Sequence, residues 1–63
     1  MNYEVPCNPV KAAAVEGFQF FRNRDGAIIA RCVRCRIGLT VTDENAARVR
    51  YAMIIHLDVV HGL

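Results

Sequence analysis

Two cysteines separated by two residues, Cys32 and Cys35, are followed after twenty residues by His56, and after four more by His61. Thiolate sulfur and imidazole nitrogen are the ligand types that zinc takes in closed, four-coordinate structural sites. Two residues between the cysteines make a tight turn from which both sulfurs can point at one ion. The chain has only 63 residues. A domain of that size buries only about 60% of the surface of its unfolded chain, so its core alone gives marginal stability. Chains below about 70–80 residues usually add a disulfide, a metal or a partner. Zinc held by Cys32, Cys35, His56 and His61 is therefore the expected staple, and zinc is the expected cofactor.

The composition sets the outer limits. An apolar fraction of 54% argues against disorder, because disordered chains lack the apolar groups to offset ordering entropy. No apolar run approaches the ~20 residues that cross a bilayer. The richest stretch, 51–60, is too short and carries His56 and Asp58, so no membrane partner is expected. The first residues have neither the basic start nor the apolar core of a signal peptide. Three cysteines cannot all pair internally. A reducing, cytoplasmic setting is the expectation, where cysteines serve metals or chemistry more often than disulfides.

Along the chain, residues 1–17 read as an N-terminal extension packing on a module formed by residues 18–63. Pro6 and Pro9 disfavour regular structure around Cys7. Val10 to Glu16 favours a short helix ended by Gly17, with a strand as the alternative. Phe18 to Arg22 and Ala27 to Arg31 read as two strands joined by Asn23-Arg24-Asp25-Gly26, where Asp-Gly is a strong hairpin signal. The Cys-x-x-Cys turn and a third extended stretch, Ile37 to Val41, follow. Thr42-Asp43-Glu44 then announces a helix, with Thr42 as cap and the acids at its positive end. It runs unbroken from Asp43 to about His61, and Gly62 is placed to close it. The fold class is a small zinc-stabilised α+β unit: a ββα zinc-finger-like hairpin and long C-terminal helix, with an N-terminal extension.

At about 100° per residue, Ala46, Val49, Met53, Leu57 and Val60 share one helix stripe, and His56 and His61 lie on its two margins about 140° apart. Both reach one ion on the expectation that the last turn unwinds or tightens. Cys7 is the rival fourth ligand in place of His61. Its plainer role is that of a small buried hydrophobe.

In its Cys32, Cys35, His56 and His61, taken in strand, turn, helix order over residues 27–62, the chain resembles the Cys-Cys-His-His zinc finger family. The resemblance implies a ββα unit around zinc and, for function, binding of nucleic acid or of proteins. The usual spacing between second cysteine and first histidine is about 12 residues, against twenty here. A Phe-rich strand also precedes the cysteines, so the family's base-contacting positions do not carry over.

Function is read from the remaining surface. Residues 22–50 carry seven arginines against three acids. Arg22, Arg24, Arg31, Arg34, Arg36 and Arg48 make the candidate nucleic-acid-binding set, serving DNA or RNA through the hairpin face. Asp43 and Glu44 oppose a helix-first approach to a groove. The alternative is protein interaction or self-assembly, a homodimer included, through Tyr51, Ile55 and Val59 on the helix back. The competing reading has the N-terminal extension folding over them. Phe18, Phe20 and Phe21 are assigned to the core. No enzyme is expected: a redox Cys-x-x-Cys belongs beside a βαβ fold that this chain is too short to build. Catalytic zinc needs an open ligand position.

Overall fold

The computed structural model describes residues 3–63. Alternation of inward and outward side chains sets the sheet. Strands β1 (Glu4–Pro6), β2 (Phe18–Asn23), β3 (Ile28–Cys32) and β4 (Gly38–Val41) lie side by side in chain order, every neighbour antiparallel. The register pairs Phe18 with Cys32 and Phe20 with Ala30. One face of the sheet thus collects Phe18, Phe20, Ala30, Cys32 and Val41, all buried. The single helix α1 (Ala46–His61) covers that face with Ala46, Met53 and Leu57. The result is the two-layer α+β architecture expected, with one helix layer and the opposite sheet face open.

The hairpin turn is held mainly by Asn23. Its Oδ1 accepts from the N–H groups of Asp25 and Ala27, both at 2.9 Å. Gly26 sits at φ +85°, the left-handed position that a three-residue hairpin loop requires. Phe21 points away from Phe18 and Phe20 and is half-buried on the open face.

The N-terminal extension departs from expectation in two ways. Glu4–Pro6 is a strand of the sheet, paired with residues 21–23 of β2. Proline fits there because an edge strand does not require its missing N–H. The expected helix over 10–16 is only a 3-10 turn at Lys11–Ala13, flanked by extended Val10 and Ala14. Ala13 is fully buried in the core, so helix propensity yields to packing.

The helix begins at Ala46, not Asp43. Residues 43–45 form a turn in which Thr42 and Asn45 bond reciprocally, Thr42 N–H to Asn45 Oδ1 at 2.7 Å and Asn45 N–H to Thr42 Oγ1 at 3.2 Å. Asn45 Nδ2 also donates to Thr40 O at 3.1 Å. One amide side chain thereby satisfies two backbone groups beside the β4 edge, which blunts an otherwise uncharged strand edge. At the other end Gly62 adopts φ +68° and its N–H donates to Asp58 O at 3.1 Å, with Leu63 N–H reaching back to Leu57 O at 3.0 Å. That is a left-handed glycine cap of the αL type.

The helix back is not covered by the N-terminal extension. Tyr51 and Val59 are 68% and 74% exposed, and Ile55 is exposed with them. The extension packs instead beside the core-facing side, where Ala13 is sealed. Val60, assigned to the core stripe, is exposed because the stripe's last turn runs past the buried cluster. No helix among the described residues is long and apolar enough to cross a membrane.

Candidate metal centre

Strand β3 ends at Cys32, and residues 33–36 turn back into β4. Cys32 N–H donates to Ile37 O at 3.3 Å across the base of this loop. Val33 N–H donates to Gly17 O at 2.9 Å, tying the loop to the start of β2. Gly17 lies at φ +100°, and a Cβ there would touch Arg34 Nη1 at 3.4 Å and Leu57 at 3.6 Å. Those are ordinary contacts, so it is the left-handed backbone at residue 17, not a lack of room, that calls for glycine.

Within the loop, backbone N–H groups converge on sulfur. Burial pushes the Cys32 thiol up, but hydrogen bonds from the backbone of Arg34 and Cys35, the Cys35 side chain and the Arg34 charge outweigh it. Cys32 is left below the usual thiol value, which favours the thiolate that a metal requires.

From the other layer come two imidazoles. His61 Nε2 lies 3.5 Å from Cys32 Sγ, and His56 Nε2 lies 3.3 Å from Cys35 Sγ. The four ligand atoms all fall within 4.8 Å of one another. A tetrahedral ion with Zn–S of about 2.3 Å and Zn–N of about 2.0 Å sets sulfur and nitrogen about 3.5 Å apart. The two sulfur–nitrogen pairs, at 3.5 and 3.3 Å, lie close to that edge, and the donor set fits zinc. The rings are held at right angles to their neighbours: His56 and His61 meet edge to face with centroids 4.9 Å apart, and Phe18 lies against His56 at 5.9 Å. Cys32 is buried and the other three residues are half-buried.

The last helical turn is neither unwound nor tightened, contrary to expectation. It remains α-helical through His61, with Gly62 N–H bonded to Asp58 O at 3.1 Å. The long imidazole side chains close the gap instead. Cys7 is not part of the cluster. It sits half-buried against the core, with its N–H donating to Phe20 O at 3.0 Å.

The six arginines do not gather into one face. Arg22 pairs with Ile28 and so lies on the helix side of the sheet, with Nη1 bonded to Gly26 O at 3.2 Å. Arg31 lies on the open side. It meets Glu4 in a two-point ion pair, Nε to Oε1 at 2.7 Å, and its Nη1 donates to Arg36 O at 3.1 Å. The hydrogen bond from Arg31 holds the Glu4 carboxyl below its usual value, against a smaller opposing effect of burial. Arg24 stacks over Tyr3 at 5.8 Å. Arg34 stands beside Gly17 near the helix, Arg36 lines the open side, and Arg48 is exposed on α1. The Glu4–Arg31 pair carried no sequence signal, since its members stand 27 positions apart in unrelated segments.

No known protein family, characterised protein or solved structure matches this chain.

Proposed function

We propose that this chain is a zinc-binding module in which the ion is structural and the protein acts by docking on another protein through the outer face of α1. The metal part rests on the convergence of Cys32, Cys35, His56 and His61 within 4.8 Å. Bound there, zinc would supply a crosslink between the β3–β4 loop and the helix. Four protein ligands leave no open position for water or substrate, so the role is non-catalytic.

The docking part rests on the exposure of Tyr51, Ile55 and Val59 at successive turns of one helix face. A helix that is apolar on both sides is ordinarily buried on both sides. Native mass spectrometry tests the metal: one zinc per chain is expected, lost on His56→Ala or Cys35→Ser. Retention of zinc by both variants would remove this site. For the docking face, the dilute, zinc-loaded Tyr51→Glu/Val59→Glu variant is expected to keep its helicity and its zinc. Loss of either means that the face is part of the fold and not a docking surface.

The second reading is nucleic-acid binding through Arg24, Arg34, Arg36 and Arg48, favoured by the arginine excess in residues 22–50. Their spread over both layers, and the engagement of Arg31 by Glu4, weigh against one phosphate-tracking surface. Duplex DNA or RNA titrated at several salt concentrations separates the readings. Phosphate contacts give a steep loss of affinity with salt, and absence of binding at low salt removes this reading.

A further inference from the structure

We infer that the partner of the α1 outer face is a second copy of this chain, packed helix to helix and antiparallel about a two-fold axis level with Met53. This deepens the docking reading above and rests on it. The argument comes from the order of residues along the exposed face. At about 100° per residue, Tyr51 and Ile55 share the direction facing away from the sheet, with Arg48 about 40° to one side of their bisector and Asp58 about 40° to the other. Ala47 and Val59 lie one step further out.

Each of these residues has a counterpart at equal distance on the other side of position 53. Tyr51 and Ile55 are two residues from it, Arg48 and Asp58 five, Ala47 and Val59 six. A two-fold axis at that level sets Tyr51 against Ile55 of the second copy, and Ile55 against its Tyr51. Small Ala47 comes level with the bulkier Val59, so the surfaces interlock and do not collide.

Charge then selects the direction. In the antiparallel arrangement, Arg48 of each chain stands level with Asp58 of the other. With helix axes about 9 Å apart, their Cβ atoms fall about 6 Å from one another, within ion-pair reach. The two arginines are about 15 Å apart along the axis, far enough to avoid repulsion. A parallel arrangement in register would place arginine beside arginine and aspartate beside aspartate. Within one chain the two groups are idle: they stand ten residues apart on the helix, and the only ion pair among the described residues is Arg31–Glu4. Both are exposed, and nothing among the described residues lies over Tyr51 or Val59. An interface that uses the same patch twice is the commonest closed assembly.

Sedimentation equilibrium of the zinc-loaded chain over a wide concentration range provides the test. The mass is expected to rise from one chain to two. Arg48→Asp and Asp58→Arg should each weaken the dimer at least about tenfold by placing like charges together. The double variant Arg48→Asp/Asp58→Arg should return to within about threefold of the unaltered chain, since the pair is restored in reverse. Circular dichroism and zinc content serve as fold controls, and both substituted positions are exposed. A single-chain mass at every concentration overturns the proposal, as does a double variant no tighter than the single ones. If the chain stays single and Tyr51→Glu/Val59→Glu still folds with its zinc, only the second copy is refuted. If that variant loses helix or zinc at the same dilution, outer-face docking falls with it.

Discussion

Among the described residues Met53 is the one large side chain with no exposed surface, and truncating it measures how far the fold depends on metal. It lies at the middle of α1, in the buried cluster that also holds Phe20 and Ala30. Met53→Ala removes three heavy atoms from a packed site, and such changes cost about 2–5 kcal/mol. A natural chain of 63 residues has a stability of about 3–9 kcal/mol at ordinary per-residue values. The nine buried residues here include four alanines or cysteines, which puts the metal-free chain at the low end of that range. Structural zinc adds about 10–16 kcal/mol of binding free energy near neutral pH. The zinc-loaded Met53→Ala chain should therefore melt cooperatively, about 15–40 °C below the unaltered chain. The metal-free variant should show no cooperative transition at all. Thermal melts followed by far-ultraviolet circular dichroism, with and without chelator, read both. A metal-free variant that melts as sharply as the loaded one, at a similar temperature, refutes the claim that the ion is the staple.

Three further outcomes are expected. Cys7→Ser should retain one zinc per chain while His61→Ala loses at least tenfold in affinity, roughly the cost of a lost ligand bond in this geometry; zinc titration against a competing chelator checks both, and loss in the first variant would make Cys7 a ligand. Gly38→Ala should lower stability by about 1 kcal/mol, because a Cβ there would stand 2.9 Å from Arg31 Nη1 and displace the guanidinium bonded to Glu4 and Arg36; equal midpoints in urea unfolding would contradict it. The Glu4 carboxyl should titrate below its ordinary 4.5, so the stability it contributes is full above that value and is lost as pH falls through the depressed one. Its carboxyl-carbon resonance, followed by pH titration, should show a midpoint below 4.5, and a midpoint at or above that value means that the ion pair does not form in solution.

Those features that arise from local chemistry were readable along the chain. The Phe18–Arg31 hairpin, the Cys32–Cys35 turn and the Gly62 cap each draw on residues within a few positions, where backbone sterics decide. The ligand set was readable for a different reason, since cysteine and histidine are few here and their chemistry is narrow. What escaped was non-local. Residues 4–6 become a strand only because β2 offers an unpaired edge, and nothing in Glu-Val-Pro announces it. Lys-Ala-Ala-Ala favours helix by propensity, yet Ala13 is drawn into the core and the helix reduces to one 3-10 turn. The arginines looked like one surface in sequence, and strand alternation sends Arg22 and Arg31 to opposite faces.

The histidine spacing shows how the same geometry can be read correctly and still lead to a wrong expectation. An i, i+4 pair is offset by about 40° and clasps an ion at one margin of its helix, whereas an i, i+5 pair is offset by about 140°. On a rigid helix that wide offset alone predicts a broken last turn. Yet the bisector of His56 and His61 falls on the core stripe, between the directions of Met53 and Leu57. Both rings therefore swing inward from opposite margins toward the sheet. The rings meet at 4.9 Å on an unbroken helix. Cys32 is the inward-facing residue at the end of β3, opposite Phe18. The ligands consequently converge in line with the hydrophobic layer instead of at its rim. Placed there, an ion extends the core by one more contact between sheet and helix, at the end where apolar side chains run out.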